Sequence, residues 1–135
     1  DDYAHHPTEI KATLEALLAY RPDLDFTIVY QAHQYARTLA LFADFIQAFK
    51  TIKNHPHQIY ITDIYAARDT EADQKLTSGE DLAQKLKEQG LNAQYSGNYQ
   101  QSAEMILAQL NHPQIVMSMG AGPINQVLEE ILKKY

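Results

Sequence analysis

Phe26-Thr-Ile-Val-Tyr30 is a run of β-branched and aromatic residues, and an amphipathic stretch beginning Gln31-Ala-His-Gln-Tyr35 follows it without a break. The run is too short for a helix, and its composition suits a strand covered on both faces. The same pattern recurs on both sides of it. Gln58–Ile64 (QIYITDI) and Gln114–Met119 (QIVMSM) read as a second and a third strand, and Ala93–Ser96 as a shorter fourth. Between them the apolar period changes from two to three or four. Ile10, Leu14, Leu17 and Leu18 form the stripe of a helix that Pro7 starts and Pro22 ends. Tyr35, Leu39, Phe42, Ile46 and Phe49 predict one continuous helix after the first strand. Asp81–Gln89 is helical, with Gly90 in the left-handed position that closes a helix. Tyr99–Leu110 is another helix, and a last one places Ile124, Val127, Leu128 and Ile131 on its inner face. The polar stretch from Arg68 to Gly79 is the longest loop.

Strands alternating with helices of about three turns imply right-handed crossovers and a mainly parallel sheet. The expected fold is therefore α/β, a three-layer Rossmann-like domain with helices on both faces. At 135 residues the chain is one domain, long enough to bury a core. In open parallel sheets, ligands sit beyond the carboxyl ends of the strands. Four segments should gather there: Asp1–His6, Gln31–Thr38, Asp63–Arg68 and Ser118–Gly122.

Composition excludes several classes of function. Eleven basic and 17 acidic residues leave a formal charge of −6, the wrong sign for nonspecific binding to nucleic acid. No apolar run approaches the ~20 residues needed to span a bilayer. The chain has no Cys, hence no disulfide framework and no thiolate nucleophile, which suits a cytosolic protein. It also has no Gly-x-x-x-x-Gly-Lys-Thr loop, so any ATP phosphates must be cradled elsewhere.

Several residues in the four segments carry chemistry. Asp1 and Asp2 suit the two hydroxyls of a ribose, or alternatively form an Asp pair at a turn. His5 and His6 are adjacent and point apart in most backbones, which fits a cap or a packing feature better than a metal site. His55 and His57 flank Pro56 and lack a third ligand for zinc. His33 and Arg37 lie four residues apart at the opening of a helix, an arrangement that suits a carboxylate or phosphate. The alternative is an Arg37 ion pair with a neighbouring acid such as Asp63. Gly120-Ala-Gly122 brings backbone close to an anion or packs a strand tightly against the helix that Pro123 begins.

Taken in order, the motifs Asp1-Asp-Tyr-Ala-His-His-Pro-Thr-Glu-Ile10, Val29-Tyr-Gln-Ala-His-Gln-Tyr-Ala-Arg-Thr38, Asp63-Ile-Tyr-Ala-Ala-Arg68 and Ser118-Met-Gly-Ala-Gly122 resemble the carboxy-terminal domain of the UDP-N-acetylmuramate–L-alanine ligase family. The resemblance spans all 135 residues, 1–135. It implies a longer parent, with an amino-terminal domain for the UDP-sugar and a central P-loop ATPase domain, and the abrupt start on Asp1 without a Met agrees with that expectation. The implied reaction joins L-alanine to UDP-N-acetylmuramic acid with ATP and Mg2+, through an acyl phosphate, in peptidoglycan synthesis. By the same resemblance Asp2 would contact the ribose, Tyr3 the adenine, His5 the wall of the cleft, and His33 and Arg37 the alanine. The chain departs from the family at two places. Gln34 stands where the family commonly has Arg, and Pro123 where it has Asp. A murein-tripeptide ligase and a free-standing α/β binding module are the competing readings. A domain holding about half of an interdomain site should bind its ligands at millimolar strength at best.

Overall fold

The computed structural model describes residues 1–135. Ten elements follow one another: α1 (Pro7–Tyr20), β1 (Asp25–Tyr30), α2 (Tyr35–Ala40), α3 (Phe42–Phe49), β2 (His57–Thr62), α4 (Gly79–Glu88), β3 (Ala93–Gly97), α5 (Tyr99–Leu107), β4 (Gln114–Met119) and α6 (Asn125–Lys134). Short 3-10 turns at Lys50–Ile52 and Asp73–Lys75 complete the chain.

All four strands are parallel, in the order β3-β2-β1-β4. Alternation along β1 divides the core. Phe26, Ile28 and Tyr30 point to one face, where they pack with Ile10 and Leu14 of α1, Phe45 and Phe49 of α3, and Leu82 and Leu86 of α4. Val29 points to the other, with Tyr60, Ala103 and Ile106 of α5 and Val127 and Ile131 of α6. The sheet is thus sandwiched between helices, and the three-layer Rossmann-like expectation holds. The winding reverses at β1. The chain runs outward through β2 and β3 on the α3–α4 face, then returns over the α5 face to place β4 on the other side of β1.

Local chemistry accounts for the helix ends. His6 caps α1, its Nδ1 3.3 Å from the Thr8 N–H, and Glu9 reaches back to the His5 and His6 N–H groups at 3.1 Å each. Those two bonds hold the Glu9 carboxyl below its ordinary pKa. Ser78 caps α4, and Asn98 caps α5 with a reciprocal bond from Gln101. Gly90 has φ +84°, the left-handed conformation that ends α4.

Several boundaries differ from the sequence reading, among them β2, which runs over His57–Thr62 and stops two residues short of Ile64. The helix expected over Tyr35–Phe49 is broken at Leu41 into α2 and α3; Leu39 is exposed, and Phe45, off the expected stripe, is buried. Helix α4 begins at Gly79, two residues early, because Ser78 takes the cap. Its Gly79 is packed against the Thr62 carbonyl so closely that a Cβ would collide with it. Helix α5 ends at Leu107, and α6 starts at Asn125, two residues after Pro123.

Leu14 is fully buried in the larger of the two cores. Leu14→Ala is expected to cost about 2–5 kcal/mol of stability, read from urea unfolding of the 135-residue chain.

Candidate functional site

The amino-terminal segment is tied to the end of β4. The Asp2 N–H donates to the Ser118 carbonyl at 2.8 Å, and the Gly120 N–H to the Asp2 carbonyl at 3.1 Å, which makes a parallel bridge between Asp2 and Met119. Asp2 Oδ1 accepts from the Ala4 N–H at 2.7 Å and Oδ2 lies 3.4 Å from the Thr13 hydroxyl, so the turn reading is realised. Each oxygen keeps a free lone pair. Tyr3 is 71% exposed with its ring uncovered. Tyr30, buried in the core, donates its hydroxyl to the His5 carbonyl at 3.0 Å and fixes the segment from below.

Gln31 occupies the point where the winding reverses. It is 3% exposed, and its side chain spans the crevice between the ends of β1, β2 and β4. Its Nε2 donates to the Asp63 carbonyl at 3.1 Å, and its Oε1 accepts from the Tyr99 hydroxyl at 3.0 Å. Gly120, at φ +148°, is so close that a Cβ would lie 2.7 Å from the Gln31 carbonyl, and a Cβ at Gly122 would strike Gln31 Oε1. The two glycines therefore serve close packing, and their backbone is covered by this side chain. The sequence reading placed Gln31 in the right segment but gave it no role. A glutamine directly after a buried strand, facing a Gly-x-Gly turn, was the available signal.

The loops after β1 and β2 are zipped together. The Tyr65 N–H donates to the Ala32 carbonyl at 2.9 Å and the Gln34 N–H to the Tyr65 carbonyl at 2.8 Å, around a bridge between His33 and Tyr65. Gln34 has φ +70° and Ala67 φ +50°, both rare for non-glycine residues. Tyr3, His5, His33 and Tyr65 form a row of rings with successive centroids 5.3, 6.0 and 5.5 Å apart. The sequence expectation that Asp1–His6, Gln31–Thr38, Asp63–Arg68 and Ser118–Gly122 converge is met. A fifth segment, Gly97-Asn98-Tyr99, joins them around a shallow recess of about 240 Å³ with Gln31, Asp63 and Tyr65.

His33 and Arg37 differ in detail from the expected pair. His33 precedes α2 and Arg37 stands in its first turn, so the two are not on one continuous helix. The positive end of α2 is already taken: the Tyr35 N–H donates to Asp69 Oδ2 at 2.6 Å. Arg37 is exposed and makes no ion pair. Asp63, its suggested partner, instead accepts a hydrogen bond from the Tyr95 hydroxyl, which pushes the Tyr95 pKa up to about 12. His33 Nδ1 is buried without a partner. Burial, then Arg37 and His5, lower the His33 pKa against a smaller opposing pull from Asp69, so the ring is neutral at pH 7.

The remaining histidines lie at the opposite pole. His55 stacks on Phe26 with its Nε2 2.7 Å from the Leu24 carbonyl, His57 accepts from the Asn92 N–H at 3.0 Å, and His112 sits 2.8 Å from Asp25. No group of three or more His, Cys, Asp or Glu side chains in the chain is arranged to hold a metal ion. No helix is long and apolar enough to cross a membrane.

A parallel sheet wound in both directions from β1, with a rim of polar loops at its carboxyl ends, defines a Rossmann-like α/β domain. Residues 1–122 match the family described as "Mur ligase, glutamate ligase domain", and the chain belongs to that family. It is 38% identical over 135 residues to a UDP-N-acetylmuramate–L-alanine ligase of Sulfurihydrogenibium sp., covering 100% of this chain and 28% of the relative. Ligases of the same name from Nostoc sp. and Clostridium acetobutylicum are each 37% identical, over 98% and 99% of the chain and 26% and 28% of their own lengths. The chain thus spans about a quarter of the length of the curated relatives it matches. The crystal structure of a UDP-N-acetylmuramate–alanine ligase from Thermotoga maritima superposes with a TM-score of 0.76 at 19% identity, over 100% of this chain and 26% of that one.

Two measurements check the geometry. Gln31→Leu strands the Tyr99 hydroxyl and the Asp63 carbonyl, with an expected loss of about 1–3 kcal/mol in denaturant unfolding. The lowered His33 pKa means that the unfolded chain binds the extra proton first on acidification. The His33 contribution is therefore whole above the unfolded value of about 6.5 and is lost as pH falls below it. His33→Gln should lose less stability than the parent chain over that acidic step, as read by melting temperature against pH.

Proposed function

We propose that this chain is the carboxy-terminal domain of an ATP-dependent ligase that adds L-alanine to UDP-N-acetylmuramic acid during peptidoglycan synthesis. The observation that carries the reading is the unpaired Arg37 guanidinium beside neutral His33, on the rim where parallel sheets bind ligands. The family membership and the names of the curated relatives support it.

In the proposed reaction ATP phosphorylates the lactyl carboxylate of the sugar nucleotide, giving an acyl phosphate and ADP. The amine of alanine attacks the acyl carbon, a tetrahedral intermediate forms, and phosphate leaves as the amide forms. Phosphorylation supplies the leaving group, so the protein's task is to position the amine and exclude water. A planar guanidinium held in no ion pair is a good receptor for the alanine carboxylate, which it can grip with two parallel hydrogen bonds. Neutral His33 offers an imidazole that can accept a proton or hydrogen bond from the amine, which a fixed cation could not. His5, held by Tyr30 and flanked by Tyr3 and His33, forms the adjoining wall.

At the amino-terminal segment, Asp2 has the free acceptor positions a ribose diol requires, and the exposed Tyr3 ring offers a face for adenine. Mg2+ would neutralise the phosphates when bound, and this domain offers no group of side chains to cage it. Its ligands and the phosphate cradle are assigned to the parent's central domain, with the UDP-sugar on the amino-terminal one.

The test is phosphate release by the full-length parent, given ATP and UDP-N-acetylmuramic acid with either L-alanine or the alanyl tripeptide. Release with L-alanine is the expected result, and Arg37→Ala should then raise the KM for L-alanine about a hundredfold. Release only with the tripeptide would reassign the domain to a murein-peptide ligase. The 135-residue chain alone is expected to show no turnover.

A further inference from the structure

Helix α2 carries Arg37 but has little of its own to hold it in place. It is six residues long, far below the length at which a helix is stable by itself, and Thr38 is its one buried residue. Gln34, at its start, lies at φ +70° and makes no side-chain cap. The cap comes from elsewhere in the chain. Asp69, 34 residues further on, places Oδ2 2.6 Å from the Tyr35 N–H at the first helical position. Asp69 is itself fixed by a turn in which its N–H donates to the Ala66 carbonyl at 2.8 Å, around Ala67 at φ +50°. It makes no ion pair. The strained loop after β2 thus delivers a carboxylate whose one hydrogen bond sets the first turn of α2, two residues before Arg37.

We propose that Asp69 is a positioning residue for the amino-acid substrate, aiming the Arg37 guanidinium by capping α2 from the neighbouring loop. The inference rests on the reading of Arg37 as the receptor for the alanine carboxylate. Without the cap, Tyr35 N–H loses its acceptor, the first turn frays, and Arg37 samples orientations of which few meet the substrate. Asp2, read as the ribose contact, is held by β4 and α1 and is indifferent to the change, as is Tyr3 next to it in the chain.

The test is steady-state kinetics of the full-length parent with Asp69→Ala, Asp69→Asn and Asp69→Glu. Asp69→Ala should raise the KM for L-alanine about tenfold, with those for ATP and the UDP-sugar within about twofold of the parent. Asp69→Asn keeps an oxygen acceptor at the same reach and should stay within about threefold of the parent throughout. Asp69→Glu keeps the charge but displaces the acceptor by a methylene, so it should impair alanine binding and covers the case in which Asp69→Ala does not fold. The proposal is overturned if the alanine KM is unmoved in both Asp69→Ala and Asp69→Glu, or if all three KM values rise together. Impairment of Asp69→Asn equal to that of Asp69→Ala would also overturn it, since charge and not the cap would then matter. Arg37→Ala separates the two levels. If it too leaves the alanine KM unchanged, the reading of Arg37 fails; if it alone raises it, only the role of Asp69 fails.

Discussion

The parallel pairing of β1 on both of its edges is the constraint from which the rest of the molecule follows. Phe26–Tyr30 pairs with His57–Ile61 on one side, and Asp25–Tyr30 with Gln114–Met119 on the other. A strand so enclosed must bury both faces, which accounts for its β-branched and aromatic composition and for the two separate cores. It also forces the chain leaving β1 and the chain leaving β4 to opposite faces. The gap between those departures is where an open α/β sheet normally admits a ligand. Here the Gln31 side chain closes that gap, so the chemistry of the domain sits on the rim: the aromatic row, the free guanidinium, and the amino-terminal segment latched to β4.

Much of the fold could be read directly because the signals were local. The strand β4 was placed residue for residue, and Gly90 marked the end of α4, since a buried strand and a left-handed glycine depend on few neighbours. The break at Leu41 escaped because apolar spacing continues across it. What bends the chain there is tertiary, the demand that Phe45 and Phe49 reach the core beside Tyr30 while α2 stays against the loop after β2.

The site was legible to a similar degree. Convergence of four segments follows from topology alone, and the capping role of His6 from its place before Pro7. The state of His33 and the freedom of Arg37 were not legible, since both depend on which acid goes where. Asp63 is claimed by Tyr95 and Asp69 by a backbone N–H, and no spacing rule connects those partners across some 30 residues. Gln31 was missed for the same reason, its partners being a carbonyl, a phenol and two glycines from three other segments.

The plugged crevice has a kinetic consequence. A ligand that meets only a rim, with a recess of about 240 Å³ and no enclosing wall, leaves without waiting for any part of the domain to open. At the millimolar affinity expected from the sequence and an ordinary association rate of about 10⁶ M⁻¹s⁻¹, it would depart at roughly 10³ s⁻¹. Exchange that fast would let such a rim sample and release a ligand many times within one turnover of a typical enzyme of about 10 s⁻¹. Residence time, and with it commitment to reaction, is then set by whatever surface faces this rim.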